Sequence, residues 1–253
     1  MRIYRSVLAL LFVTAAVGSI NAQTRKAAAP EKKPSTAARA PEIGQSAVVV
    51  DELLSNLRKE PSLFAESVHR MQRGRRVQIL GVAAADGVKF FKVTAPPRNF
   101  GWVQAEAVFG KFRAGDEDRL VRLMHATDGF EQLEIAVQFF QIYPDSKLKP
   151  AVLLLFGDKI EEAAARLSRD ATSRISRQEM VASAAPMHSY FLNFNMLDRY
   201  RRLGIVFLFN PFTRLYHYNG ASWKQIVEKY PGTNEAAEAQ KRIDSLKLKM
   251  EKK

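Results

Sequence analysis

Residues 73–103 read RGRRVQILGVAAADGVKFFKVTAPPRNFGWV, and the reading of this stretch decides the fold. Val77, Ile79 and Gly81 alternate with Gln78 and Leu80, and Phe91 and Val93 flank Lys92, the period-two pattern of strands that lay one face on a core. Arg73-Gly74, Asp86-Gly87 and Ala95-Pro96-Pro97 punctuate the segment as turns. With Ala47–Val50 upstream, the spacing predicts short strands at Ala47–Val50, Val77–Val82, Lys89–Val93 and Gly101–Val103. Several short strands closed by Gly and Pro turns predict a small all-β barrel over residues 46–113.

Beyond Gly115 the apolar period changes to that of helices. Asp116 to Asp118 supply acids for a first turn, and Leu120, Leu123, His125 and Ala126 follow before Asp128-Gly129 closes the segment. Gln132–Ile142 predicts a second helix with Leu133, Ile135, Ala136, Phe139 and Phe140 on its apolar side. Tyr143-Pro144-Asp145-Ser146 breaks it, and Pro150–Leu167 predicts a third. The same phrase returns as Trp223, Ile226 and Val227, then Tyr230-Pro231-Gly232-Thr233, then a helix with Ala236, Ala239, Ile243 and Leu246. Between the copies, Ser189–Gly204 predicts a helix and Ile205–Phe209 an apolar run placed in the core and ended by Asn210-Pro211. Ser168–Pro186 reads as a loop or a frayed helix. Aromatic residues Phe191, Phe194, Tyr200 and Tyr216 either line a partner groove or, as aromatics at helical spacing more often do, pack a core. Residues 114–253 are thus expected to be all-α.

The chain opens on Arg2 and Arg5, an apolar run from Val7 to Val17 and small residues to Ala22, the layout of a signal peptide over residues 1–22 cleaved after Ala22. A retained membrane anchor is the rival reading, but the apolar core is shorter than the roughly 20 residues that span a bilayer. Residues 23–45, rich in Ala, Pro and Lys, read as a disordered linker. The expectation is an exported protein, periplasmic or extracellular. Its 253 residues carry a formal charge of +13 and no cysteine, which removes disulfides, thiolate metal sites and thiol nucleophiles. The charge favours an anionic polymer or membrane surface as partner; export leaves nucleic acid the least fitting. Its excess lies toward the N-terminus, with eleven Lys and Arg against six acids between Ser46 and Arg113.

Taken in order, Leu57, Arg58, Pro61-Ser62, Val68, Met71, Arg73-Gly74, Val77, Ile79, Leu80, Gly81, Phe91-Lys92-Val93, Gly101-Trp102-Val103 and Val108 resemble a bacterial Src-homology-3-like (SH3-like) domain over Ser46 to Phe112. Phe91 stands where that family usually has tryptophan, and Lys59-Glu60 where it has a small residue and glycine. The resemblance implies a small barrel that attaches exported bacterial proteins to cell-wall peptide or to an envelope protein without catalysis of its own. The helical hairpins with their Tyr-Pro turns resemble tetratricopeptide-like units, in which helix pairs stack because neither buries its apolar face alone. Their two turns are too far apart in the chain for a regular array. The expected architecture is a multidomain chain with an SH3-like barrel followed by a tetratricopeptide-like helical domain.

Within that frame Trp102 and Phe91 either form an aromatic shelf for a ligand, with Arg58 as a bidentate carboxylate donor, or fill the barrel interior. Arg73, Arg75 and Arg76 form a basic patch at a turn, for an anionic polymer or for solvent. No catalytic constellation is legible: His69, His125, His188 and His217 lie apart, no glycine-rich phosphate loop or nucleophile elbow occurs, and Glu161-Glu162 reads as a solvated helix face. No cofactor and no metal is expected. Two function classes follow: a non-enzymatic exported binding protein, or an accessory or degenerate subunit of a cell-wall-processing enzyme. A weaker third is electrostatic attachment to anionic lipid through Lys26, Lys32, Lys33 and the arginine turn.

Overall fold

The Asp86-Gly87 turn carries positive φ at both residues, 53° and 73°, the backbone that joins two strands without splaying them. It pairs β4 (Arg76–Ala85) with β5 (Val88–Ala95), and β6 (Asn99–Gln104) returns alongside β5. In this computed structural model, which describes residues 40–95, 99–174 and 197–251, these strands are the centre of a seven-stranded antiparallel sheet. The others are β1 (Ser46–Val49), β2 (Asn56–Arg58), β3 (Ser67–Arg70) and β7 (Val108–Phe109), in the order β3-β2-β6-β5-β4-β1-β7. Leu57 of β2 and Val108 of β7, near opposite ends of that order, join one buried cluster with Val49, Met71, Val77, Ile79, Phe91, Val93 and Val103. The sheet is therefore curled around a single core. Gly101 permits a close approach of β6 to β2, since a Cβ there would lie 2.7 Å from the Arg58 carbonyl oxygen and 2.8 Å from Leu57 Cγ.

Helices follow: α1 (Asp116–Ala126), α2 (Gly129–Ile142), α3 (Lys149–Arg174), α4 (Leu197–Arg202), α5 (Ala221–Lys229) and α6 (Asn234–Glu251). The two Tyr-Pro turns share one construction. Tyr143 caps α2 with its N–H on the Phe139 carbonyl at 2.9 Å, and Tyr230 caps α5 with its N–H on the Ile226 carbonyl at 2.8 Å. Two residues past each proline, Ser146 and Thr233 return an N–H to the tyrosine carbonyl at 3.3 and 3.1 Å. Proline has no N–H and cannot continue the helix, which makes Tyr-Pro a terminator. The long helix α3 packs on α2, α5 and α6. Its approach to α5 depends on Gly157, where a Cβ would lie 2.4 Å from Trp223 Nε1 and 2.5 Å from Ser222 Oγ.

The helical half is not all-α. Ile205–Phe209 is no mere core filler: Phe207–Asn210 (β8) pairs antiparallel with Leu215–Tyr218 (β9). Phe207, Phe209, Tyr216 and Tyr218 alternate onto the core face. Asn210 makes the turn, its Oδ1 accepting the N–H groups of Phe212 at 2.9 Å and Thr213 at 3.3 Å, side-chain turn chemistry that hydropathy does not display. Ser168 is neither loop nor frayed end. It is buried inside α3, and its Oγ donates to the Ala164 carbonyl while accepting the Tyr216 N–H, both at 2.8 Å.

Sheet and helices share a core. Phe109 of the edge strand β7 and Val50, just past β1, pack with Leu120, Met124, Ile135, Phe139 and Val152 of α1 to α3, and residues from Ala40 onward form one compact unit. The fold is an antiparallel sheet in the N-terminal half and helices in the C-terminal half, a mixed α/β architecture. Residues 1–22 and most of 23–45, on which the export signal and linker were read, lie outside the described residues. So do Pro96, Pro97, His188, Phe191 and Phe194.

Candidate ligand-binding surfaces

Register brings Arg58 and Trp102 together. Arg58 of β2 lies directly opposite Trp102 of β6, and Trp102 lies opposite Lys92 of β5. Residues opposite each other across antiparallel strands point to the same face, so these three form a cation–aromatic–cation row across the outside of the sheet. Phe100, two residues before Trp102 and so on the same face, is 59% exposed. Arg58 Nη1 donates to the Ala65 carbonyl at 2.8 Å, tying down the loop between β2 and β3. The far side of that loop is held by Asp86, which accepts from Ser62 Oγ at 2.7 Å and from the Leu63 N–H at 2.8 Å. Those two bonds draw the Asp86 carboxyl below its usual range. An anchored loop thus presents Phe64, 89% exposed, beside the arginine.

Phe91 does not belong to this surface. It lies opposite Val103, one step out of phase with Trp102, and is fully buried in the sheet core. Strand alternation puts the two rings on opposite faces. The aromatic partner of Trp102 on the outer face is Phe100, which a two-residue offset along β6 could have identified.

The arginine turn divides three ways. Arg73 is 6% exposed in its side chain, with Nη1 on Glu134 at 2.7 Å, Nη2 on Glu131 and Nε donating to the Val50 carbonyl at 2.8 Å. It is a clasp between the sheet and α2, closed by carboxylates from a distant part of the chain. Arg75 lies with its Nη1 3.5 Å from His69 Nε2. Arg76 is exposed, on the rim of a cleft of about 600 Å³ between β1 and the chain that leaves β7. That cleft is also bordered by Gly44 to Val48, Lys111, Phe112 and, from the end of α2, Gln141 and Ile142.

Glu161 is no solvated face either. Its Oε1 lies 2.9 Å from His217 Nδ1 and accepts from Lys249 Nζ at 2.8 Å, and its Oε2 accepts the Tyr218 N–H at 2.8 Å. Burial alone would raise its pKa, but hydrogen bonds from His217, Lys249 and the Tyr218 amide outweigh burial and hold it at about 2. One carboxylate thereby joins α3, β9 and α6. Only Glu162, the other half of the pair, stands half exposed, with Lys159 at 3.0 Å. Tyr200 and Tyr216 are core residues, their rings 5.0 Å from Phe130 and 5.1 Å from Phe209.

Among the described residues no three His, Asp or Glu side chains are grouped to hold a metal ion, and no helix is long and apolar enough to cross a membrane. In comparisons with family models, curated proteins and solved structures nothing matches this chain, so its own residues carry the functional reading.

Proposed function

We propose that this is a non-enzymatic binding and scaffold protein of the bacterial cell envelope. In this reading the curled sheet is an SH3-like module that contacts cell-wall peptide or an envelope protein, and the two Tyr-Pro hairpins are a tetratricopeptide-like unit that holds a second protein. The export signal read at residues 1–22 supports the compartment. The observation that carries the reading is the Arg58–Trp102–Lys92 row with Phe100 and Phe64 beside it. Exposed aromatics held on a sheet and on a tied loop, next to cations, match the composition of protein contact surfaces, which are rich in Trp, Phe and Arg. The cations suit the carboxylates that wall peptides and many proteins display.

Cosedimentation of the full chain with purified cell-wall sacculi at low and high salt tests it. Salt-resistant binding that drops in Lys92→Glu and Trp102→Ala, both checked for an unchanged melting temperature, is the expected result. Binding that disappears in salt, or that ignores both substitutions, rejects wall recognition by this face.

A further inference from the structure

A row of three residues crosses the outside of the curled sheet at β1. Pairing sets Val48 opposite Arg76 of β4 on one side and opposite Phe109 of β7 on the other, and residues opposite each other share a face. Arg76 alternates with Val77 of the sheet core, so the row lies on the outer face. Its Phe109 end is roofed by helices, packed with Leu120, Met124, Ile135 and Phe139. Its Arg76 end is exposed. Helix α2 stops at Ile142, and there the cleft of about 600 Å³ opens, with Arg76, Val48 and Phe109 on its border and Ile142 facing them.

The remaining wall is the chain that leaves β7, and it is fixed in place. Gly110 gives its N–H to Asp116 Oδ2 at 3.2 Å, and its carbonyl accepts the Tyr143 O–H at 3.1 Å. Asp116 is itself held, with Arg113 Nε at 2.6 Å and Arg119 Nη2 at 3.2 Å. A Cβ at Gly110 would lie 2.5 Å from the Phe112 ring, so the missing side chain lets that ring fold back over the glycine, where it meets Phe91 edge-on at 6.1 Å. Lys111 and Phe112 thereby border the cleft. Two of the bordering residues are charged, Arg76 and Lys111, and none is an acid. The C-terminus of α2 contributes about half a negative charge nearby, which the two full cations outweigh. The surrounding sheet region carries eleven Lys and Arg against six acids, so the wider field has the same sign.

We infer that this cleft is a binding site for a small amphiphilic carboxylate, an acid group carried on an unbranched hydrocarbon tail. The tail lies along Val48, Phe112 and Ile142, and the carboxylate meets Arg76 and Lys111 at the rim, where charge-assisted hydrogen bonds are strongest. A volume of about 600 Å³ falls in the range of roughly 300–1,000 Å³ usual for small-molecule sites, which favour seams between packed units such as this one between sheet and helices. None of these residues belongs to the Trp102 row, so the site stands or falls independently of the function proposed above.

Equilibrium dialysis of the full chain against radiolabelled decanoate, kept below its micelle-forming concentration, tests this. Saturable binding of about one molecule per chain is expected. Unlabelled hexanoate competes about tenfold or more weakly than unlabelled decanoate, because each buried methylene is worth about a fourfold gain in affinity. Decyltrimethylammonium, with the same tail and the opposite charge, does not compete. The double substitution Arg76→Glu and Lys111→Glu weakens binding about tenfold or more, whereas the same charge change on α5, Lys224→Glu with Lys229→Glu, leaves it unchanged. All four substituted side chains are exposed, matched melting temperatures show that the fold is retained, and the competition series needs no variant. The inference is overturned if decanoate does not bind saturably, if hexanoate or the cationic analogue competes as well as decanoate, or if the two double variants bind alike.

Discussion

Tyr143 donates its phenolic O–H to the carbonyl of Gly110 at 3.1 Å, so the residue that ends a helix also fastens the chain just past the end of a strand. Both groups are buried. Burial, followed by the nearby Asp116 and Glu117 carboxylates, raises the phenol well above the usual tyrosine pKa, which keeps it protonated and donating through the physiological range. Tyr143→Phe keeps the ring contact with Phe139 but leaves a buried carbonyl without its donor. The expected cost is about 1–3 kcal/mol, read as a lower denaturant midpoint with an unchanged slope; a wild-type midpoint would show that the bond contributes nothing.

Arg73 is the second fastening between sheet and helices. Arg73→Ala removes donors from Glu131, Glu134 and the Val50 carbonyl together. Glu131 is half exposed and can turn to water, so the expected loss is about 1.5–3 kcal/mol rather than that of a fully buried pair. Urea unfolding measures it. Arg73→Lys should recover only part, because a single ammonium cannot reproduce the planar fork.

At the crossing of α3 and α5 the expected defect is steric. Gly157→Ala forces a methyl against Trp223 Nε1 and Ser222 Oγ, and overpacking of this kind costs roughly 1–3 kcal/mol. Trp223 is one of two tryptophans, so its emission reports the displacement directly. A more stable Gly157→Ala variant, the usual outcome inside an exposed helix, would show that the helices do not approach this closely.

Glu161 gives stability a pH dependence of known sign. Its carboxyl is held at about 2 against an ordinary 4.5, so the unfolded chain binds its proton more readily than the folded one. The stabilisation is complete above about pH 4.5 and drains away as pH falls toward 2. Glu161→Gln should be less stable than wild type at pH 6 and lose less of its remaining stability between pH 4.5 and 2. Parallel curves of melting temperature against pH for the two proteins would contradict this.

How much of this was legible beforehand depended on how local the cause was. Strands β4 to β6 could be read because Val77, Ile79, Phe91 and Val93 alternate and Asp86-Gly87 specifies its own turn. Both Tyr-Pro helix ends could be read because proline acts on its neighbours alone. The β8–β9 hairpin escaped because its turn rests on the Asn210 side chain and Phe207–Phe209 presents no polar residue to reveal alternation. At the candidate sites, residue type singles out Arg58 and Trp102, and the sheet register sets them opposite each other. For Phe91 the sequence leaves an outer shelf and the barrel interior both open, because the phase of β5 relative to β6, which puts Phe91 inside and Trp102 outside, is a tertiary fact. Sequence offers Arg73 as part of a patch for an anionic polymer or for solvent and Glu161 as a solvated face, because their partners, Glu131 with Glu134 and His217 with Lys249, come from distant elements.

The placement of Phe109 bears on mechanics. It is the last residue of β7 and also a core residue packed with α1 and α2, and Gly110 after it is pinned by Asp116 and Tyr143. The short turn from Gly110 to Gly115 that joins sheet to helices is bonded to α1 and α2 at its first residue. Force applied to the sheet falls first on apolar side chains that the sheet and helices share. Sheet and helices thus come apart only if shared apolar side chains and the two hydrogen bonds at Gly110 are broken together.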